Sequence, residues 1–477
     1  MDKSEYKKIG FKCGIEIHQQ LEGKKLFCNC PTEIRKDKAD FSFDRRLRAA
    51  AGESGKVDIA ATHEQKKAKL FTYQGYEDIN CLVEMDEEPP RNVNQDSLKT
   101  ALQVAKMMNC EIVNKIQFMR KTVVDGSNVS GFQRTAIIGL NGWIDVEGHK
   151  VGILGVFLEE EACQVISRTT DHDTYNISRL GIPLLEIATA PDIRDAEECQ
   201  KAAARIGMIL RSTGACKRGI GSIRQDVNLS IKGSARTEIK GFQDLKSIPK
   251  VVAYEIKRQQ EVIAKGEKVA MEVRRAEPDF TTKFLRPMPG GARMYPETDV
   301  PTIIVGDFTF EQVEMLDEKQ VRFEKEYKLN SDYAKQAVSY IDKTGTNLED
   351  YFKKYKQIES KYVLDCFTAI PKELKKRYEV TLEFETVADE MLTAILQDKV
   401  SKSMTIEVLV EYSKSGKLDF SKFETVSDEE LEKEIKRIVD KSPNAPVGAL
   451  MGQVMAKFKG QVEGKTVMMF LQRNLKK

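Results

Sequence analysis

Long apolar runs are missing from this 477-residue chain. No stretch of 18 or more apolar residues occurs, so no membrane-spanning helix is expected. The opening residues MDKSEYKKIG have no apolar core, so no signal peptide is expected either. An excess of one charge is also missing: 76 Lys and Arg stand against 74 Asp and Glu, for a formal net charge of +2. Any nucleic-acid contact must therefore come from local patches. The nine cysteines are scattered, and several, such as Cys163, Cys199 and Cys366, sit inside apolar patterns. That suits a reducing cytosol better than a disulfide framework, so a cytoplasmic location is the expectation. The GxxxxGK[ST] spacing of a Walker loop is absent. What is present suffices for folding: 41% of residues are apolar, ample for packed cores, and 54.0 kDa suggests about three domains.

The stretch Phe11 to Pro31, FKCGIEIHQQLEGKKLFCNCP, organises the rest. Phe11, Cys13, Ile15 and Ile17 alternate with Lys12, Gly14, Glu16 and His18, the pattern of a half-buried strand. Residues two apart on a strand share a face, so Glu16 and His18 point the same way. A carboxylate beside an imidazole binds a divalent metal or moves a proton; the alternative is an exposed acid next to a satisfied histidine. Cys28 and Cys30, with Cys81 far along the chain, could open a zinc site, although the usual second close pair is missing.

Acids interrupt two further apolar strands. VGILGVFLEEEACQVI carries Glu159, Glu160 and Glu161, and GIPLLEIATAPD carries Glu186. Burying an unpaired charge is costly, so each acid requires a partner. Carboxylates converging from separate strands would make a hard, oxygen-rich site for Mg²⁺ and a nucleotide; pairing with arginines such as Arg179 is the competing reading. GIGSIRQDVNLSI and RTEIKGFQDL alternate Arg224, Asp226, Asn228, Glu238 and Lys240 onto one sheet face, enough to line a polar pocket or channel.

Arg120 and Lys121 precede the turn cluster Asp125-Gly126-Ser127-Asn128, and Ser130 to Arg134 follows. Glycines, small hydroxyls and cations together suit phosphate or an RNA end, so Arg120, Lys121 and Arg134 are candidate contacts; a long hairpin connection is the alternative. Residues 95 to 112 read as an amphipathic helix, as do Asp195 to Thr213 and Pro249 to Lys265. Residues 283 to 301, rich in proline and holding Arg286, Arg293, Glu297 and Asp299, read as a loop of fixed shape. Beyond Phe310 strand patterns give way to Lys/Glu-rich helical ones. Ser427 to Glu430 forms a capping box, and the last helices carry an apolar stripe of Val447, Leu450, Met451, Val454, Met455 and Phe458. Lys457, Lys459, Lys465, Arg473, Lys476 and Lys477 against Glu463 give this tail a basic face.

GIEIHQQL with LFCNCP, then FLEEEACQVI, GIPLLEIATAPDI, GSIRQDVNLSI with EIKGFQDL, and RPMPGGARMYPETDVP together resemble the tRNA-dependent amidotransferase B/E family, in order across nearly the whole chain. HQQL, DGSNVSGFQRT and ARMYPETD are more similar to the archaeal E-type branch than to the bacterial B-type branch. The tail segment GALMGQVMAKFKGQVEGK is similar to the family's tRNA-contacting tail domain.

The resemblance implies an α+β fold: a mixed-sheet cradle domain over residues 1–320, a helical domain over 321–412 and a small tRNA-binding tail over 413–477. It implies phosphorylation by ATP, with Mg²⁺, of the glutamate side chain misacylated onto tRNA(Gln). Ammonia from an asparaginase-like, D-type partner then displaces the phosphate, in a heterotetramer of two D-type and two E-type subunits. Carried over by motif, Glu16, His18, Glu160 and Glu186 would form the Mg²⁺ site, with Glu160 preferred over Glu159. No amidase nucleophile is visible, so ammonia must come from outside. One departure is large: E-type members normally carry a synthetase-like insertion, yet here Val273 reaches Phe284 through only RRAEPDFTTK. The B-type member of a three-subunit enzyme, or a non-catalytic tRNA-binding scaffold, are the alternatives.

Overall fold

The computed structural model describes all residues except 49–54, 56, 58–61, 63, 64, 243, 289–293, 307, 424–427, 443, 444, 459–461, 463, 476 and 477. Arg293, Ser427, Lys459, Glu463, Lys476 and Lys477 thus lie outside the described residues, and nothing is said of the side chain of Lys465. The chain divides into two units, Met1–Leu316 and Asp317–Lys477.

In the first unit a short helix α1 (Lys3–Lys8) leads into β1 (Lys12–Gln20), β2 (Phe41–Arg45) and β3 (Leu70–Gly75). Helix α2 (Gln95–Met107) precedes β4 (Glu111–Ile112), β5 (Lys115–Ile116), β6 (Phe118–Thr122) and a long hairpin of β7 (Phe132–Val146) and β8 (His149–Glu160). Next come β9 (Gln164–Arg168), β10 (His172–Asn176), β11 (Pro183–Thr189), helix α3 (Ala196–Ser212), β12 (Ile223–Ser230) and β13 (Thr237–Lys240). Helix α4 (Ile248–Ala264), the hairpin β14 (Glu272–Ala276) and β15 (Thr282–Pro287), β16 (Met294–Pro296) and β17 (Ile303–Ile304) complete the unit.

Eleven strands form one sheet in the order β15-β14-β13-β12-β1-β11-β8-β7-β6-β16, with β4 beside β7. Among the described residues only β13 and β14 run parallel within it, which makes the sheet mixed. A smaller sheet runs β2-β3-β10-β9, and β17 pairs with β5. The organising stretch is β1, near the middle of the large sheet.

Alternation then divides that sheet into two faces. Ile15 and Ile17 of β1, Leu185 and Ile187 of β11, Val156 and Leu158 of β8, and Val227 and Leu229 of β12 are all buried together. Leu102 of α2, Ile206 of α3 and Val252 of α4 join the same core. Each large aliphatic so buried contributes about 1.5–3 kcal/mol. Helix α2 and the hairpin lie close enough that a Cβ on Gly139 would stand 3.1 Å from the Ala105 Cβ, and in the turn after the helix Cys110 Sγ is 2.4 Å from where a Cβ on Gly142 would stand. The helix therefore fixes the hairpin, and the hairpin fixes which residues of β7 and β8 face outward.

Two local expectations change. The helix expected over 95–112 ends at Met107, because Asn109 takes a left-handed φ of 56° and Glu111–Ile112 pairs with β7. The segment expected to be a loop over 283–301 contributes strand β15 and, through Met294–Pro296, an edge partner for β6. Its Glu297 is buried, 1% exposed.

The second unit is helical among its described residues. It holds α5 (Leu316–Glu326), α6 (Ser331–Thr344), α7 (Leu348–Lys354), α8 (Ser360–Tyr378), α9 (Ala388–Leu396), α10 (Thr405–Ser415), α11 (Asp428–Lys441), α12 (Val447–Lys457) and α13 (Gly464–Leu475). The last three share an apolar cluster of their own, with Leu431, Ile435, Leu450, Val454, Val467 and Leu471 at its centre. Of the expected stripe, Leu450, Val454 and Phe458 are buried there and Met451 and Met455 pack against them, while Val447 is exposed. Among the described residues no helix is long and apolar enough to cross a membrane.

Candidate functional site

The face of the large sheet opposite the core carries a polar row. Antiparallel neighbours directly opposite one another share a face, so the register alone sets it out. His18 lies opposite Glu186 of β11, and Glu16 lies opposite Asp226 of β12. Asn228 of β12 lies opposite Glu238 of β13. On the other side Glu159 of β8 lies opposite Leu184 of β11 and Thr135 of β7, and Lys121 of β6 opposite Gln133 of β7.

Two groups of potential ligands arise in this row, each with its ligand atoms within 4.8 Å of one another: His18, Glu159 and Glu186, and beside it Glu16, Asp226 and Glu238. In the first, His18 Nε2 is 3.4 Å from Glu186 Oε2, Lys121 Nζ is 2.6 Å from Glu159 Oε1 and 3.9 Å from Glu186 Oε2, and Gln133 donates to Glu159 at 3.1 Å. In the second, Asn228 Nδ2 donates to Glu16 at 3.0 Å, and Lys240 Nζ lies 2.5 Å from both Asp226 and Glu238.

The electrostatics follow the crowding of acids. Burial, with Glu238 and Glu186 close by, holds the Glu16 carboxyl above its usual range. Burial likewise raises Glu159, with Lys121 opposing it. Burial opposes a charged imidazole at His18, but the bond to Glu186 outweighs it and the pKa is raised. At Glu186 burial is outweighed by His18 and Lys121, and its pKa is lowered. The three-carboxylate group is an all-oxygen set of the kind Mg²⁺ takes, and the imidazole-bearing group also suits Mn²⁺, so both fit a divalent ion.

The expected single set of Glu16, His18, Glu160 and Glu186 needs two corrections. Glu16 belongs to the neighbouring group with Asp226 and Glu238. Glu160 belongs to neither: one residue beyond Glu159 on the strand, it faces the other side of the sheet, where Arg134 Nη1 meets it at 2.8 Å. The expected phosphate contacts also part company. Arg120 lies opposite Arg134, while Lys121 lies opposite Gln133. Arg134 Nε is 2.7 Å from Glu297 Oε2, and Arg120 donates to both oxygens of Glu297 at 2.9 and 2.6 Å and to Asp299 at 3.0 Å. Strand alternation thus commits both arginines to a buried ion network and leaves Lys121 on the row. The turn cluster between them is a hairpin connection from β6 to β7, in which Gly126 takes φ +88° with a Phe71 ring carbon 2.4 Å from where a Cβ would stand. Glu161 pairs with Arg224 at 3.0 Å and accepts from Gln20 at 2.8 Å.

A separate group stands away from the sheet face. Cys28, Cys30, Cys81 and Glu84 also bring their ligand atoms within 4.8 Å. The sequence lacked a fourth thiol, and the structure supplies a carboxylate instead: Cys28 Sγ donates to Glu84 Oε1 at 2.8 Å, and Cys81 N to Glu84 Oε2 at 2.8 Å. Bonds from Cys28 and Cys30 lower the Cys81 pKa, while Cys28 is pushed up by the same sharing and by burial.

Sequence reasoning passed over Glu159 in favour of its neighbour and gave Glu297 no partner. The phase was readable: Leu158 is the apolar residue of β8, so Glu159 must face away from it, as Glu16 faces away from Ile15 and Ile17.

Residues 11–311 match the family model described as the GatB/GatE catalytic domain. The E-type subunit of the glutamyl-tRNA(Gln) amidotransferase from Methanocaldococcus jannaschii is 35% identical, with 99% of this chain and 99% of that protein covered. Proteins of the same name from Methanococcus maripaludis and Archaeoglobus fulgidus are 34% and 32% identical over the same shares. The Methanocaldococcus alignment extends over 628 positions against 477 residues here, so domain-length sequence in that relative has no counterpart in this chain. Where the insertion was expected, the hairpin from β14 to β15 is closed by Glu277 N bonding to the Thr281 carbonyl and Phe280 N to that of Glu277, both at 2.9 Å.

Proposed function

The chain belongs to the GatB/GatE amidotransferase family, and from that premise we propose that it converts Glu-tRNA(Gln) to Gln-tRNA(Gln) in the manner of its E-type relatives. The γ-phosphoryl group of ATP passes to the side-chain carboxylate of the tRNA-bound glutamate, leaving ADP. Ammonia then attacks the acyl phosphate, phosphate departs and the amide remains. The ammonia comes from an asparaginase-like, D-type partner, in a cytoplasmic assembly of two D-type and two E-type subunits.

The observation that carries this reading is the polar row itself. Phosphoryl transfer asks for alignment and charge neutralisation more than for a covalent residue. The row provides two carboxylate groups for divalent ions, side by side on a sheet face opposite the core, and Lys121 and Lys240 as cations beside them. His18, Glu159 and Glu186 would hold one ion and Glu16, Asp226 and Glu238 another. When bound, such an ion neutralises charge on the transferring phosphate. His18 is oriented by Glu186, and Gln133 fixes the second oxygen of Glu159. The Arg120–Glu297–Arg134–Glu160 network ties β16 and the segment after it to β6 and β7 on the other face of the sheet, and both arginines are engaged there. The thiol group with Glu84 suits a structural zinc ion, which takes sulfur and carboxylate ligands in tetrahedral geometry.

The test is amidation of Glu-tRNA(Gln) by the purified chain with ammonium and ATP, with and without the asparaginase-like partner. ATP-dependent product from ammonium alone is expected, and use of an amide donor only when that partner is added. ATP-independent binding of the tRNA with no amidation would leave the chain a scaffold and overturn the proposal.

A further inference from the structure

Lys121 stands where the site needs a cation. Its ammonium is 2.6 Å from Glu159 and 3.9 Å from Glu186, and those acids with His18 form one of the convergent ligand groups. Glu159 is only 2% exposed. Carboxylates held at that depth are costly unless a positive charge faces them. The second group shows the same arrangement, with Lys240 at 2.5 Å from both Asp226 and Glu238. In each case the cation is a lysine. The arginines nearest Lys121 along the chain and across the strand pair, Arg120 and Arg134, are instead fixed by Glu297. The division makes physical sense: an arginine fork locks into a fixed bidentate geometry, whereas a lysine is a compact charge on a flexible stem that can swing away.

Resting on the reading of His18, Glu159 and Glu186 as a divalent-ion site, we propose that Lys121 is the resident counter-cation of that site, displaced from Glu159 and Glu186 when a divalent ion binds and returned when it leaves. The ion and the ammonium compete for the same carboxylate oxygen. A divalent ion binds such an oxygen at about 2.0–2.2 Å, and an ammonium on that oxygen would be in strong repulsion with it. Displacement frees the Lys121 ammonium beside the ion, where it is available to donate to an anionic phosphate oxygen. Lys121 is in this sense a positioning residue, holding the empty site in shape and its acids together. A fixed structural ion pair would behave differently, since metal binding would leave Lys121 where it is.

The experiment needs no variant to begin. The full chain is trace-labelled with an amine-acetylating reagent in a Mn²⁺ titration, the modification of Lys121 being read by mass spectrometry against exposed Lys3 as reference. Mn²⁺ binding is followed in parallel by the electron-spin-resonance signal of the free ion. Lys121 labelling is expected to rise about tenfold or more as Mn²⁺ saturates the site, as expected for an amine released from a short ion pair. Lys121→Met is expected to bind Mn²⁺ at least about tenfold more tightly, because the competing charge is gone, and Lys121→Arg more weakly than the parent, because its fork stays on the carboxylates. Saturable Mn²⁺ binding with Lys121 labelling unchanged, or Lys121→Met binding no more tightly than the parent, would overturn the proposal. If Lys121→Met does not fold, the labelling of the parent decides alone. Absence of saturable Mn²⁺ binding by the parent would sink the ion-site reading itself, and this proposal with it.

Discussion

The two faces of the sheet put nearly the same residue types to opposite uses. On the face of the polar row Glu159, Glu186, Glu16, Asp226 and Glu238 are crowded, and among the described residues lysines, an imidazole and amides answer them. On the other face, at the end of the same strands, Glu160 and Glu297 are met by two arginines in short contacts. Glu297 accepts two bonds from Arg120, one from Arg134 and one from the Asp299 N–H. The arginine network saturates Glu297, while among the described residues the polar row has more acid than cation. A carboxylate inside an apolar strand is therefore not in itself a mark of chemistry. What distinguishes the two uses is whether its partners exhaust it, and only the under-partnered set has ligand capacity to give.

The contrast is sharpest in the response to losing one acid. Glu297→Gln would leave two arginines short of a partner in a buried place, and removing one member of a buried pair costs about 3–5 kcal/mol. The expected result is a large loss in chemical-denaturation stability; a loss under about 1 kcal/mol, the range of an exposed pair, would show that the network is not the fixed one described. Glu238→Gln should behave in the opposite sense. Its fold should persist, and the variant should bind one Mn²⁺ fewer than the parent, or bind it about tenfold or more weakly, in a titration that counts the free ion. Unchanged stoichiometry and affinity would remove the second group from the ion sites.

Acid should separate the faces more gently. The Glu297 carboxyl is lowered from its ordinary 4.5, since the Arg120 and Arg134 bonds outweigh burial. A carboxyl with a lowered folded pKa contributes stability that is complete above its unfolded value and is lost as pH falls toward the folded one. The melting temperature of the parent should thus drop on acidification below about pH 4.5, and drop less steeply in Glu297→Gln. Parallel curves for the two proteins would contradict the assigned shift.

Much of this was legible along the chain. Period-two alternation places Glu16 and His18 on one face, and the same rule applied to GSIRQDVNLSI and EIKGFQDL places Asp226, Asn228, Glu238 and Lys240 there too. The long family motifs carry the order of the strands. Other features are non-local and were not readable. The pairing of Leu184 with Glu159 and of Arg120 with Arg134 depends on how β8 meets β11 and how β6 meets β7. The phase of β8 was legible, since Leu158 marks its apolar face, but the pairings that bring His18 and Glu186 beside Glu159 were not. Arg120, Lys121 and Arg134 looked alike as cations near a glycine-bearing turn, yet alternation sends one to the open row and two to Glu297. The fourth member of the thiol group was hidden because Glu84 is not a thiol, and only the fold brings it to Cys28. The edge strand β16 lay unseen in a proline-rich segment, since its role is set by its partner β6 and not by its own periodicity.

The claim that chemistry belongs to the face of the polar row and structure to the opposite one is tested most directly by ATP-dependent amidation of Glu-tRNA(Gln), measured on Glu159→Gln and Glu160→Gln at a temperature where both remain folded. The expected result is a loss of about 100-fold or more for Glu159→Gln, roughly 2.7 kcal/mol of transition-state stabilisation, with Glu160→Gln within about tenfold of the parent. The reverse order, with Glu160→Gln inactive and Glu159→Gln close to the parent, would contradict the account.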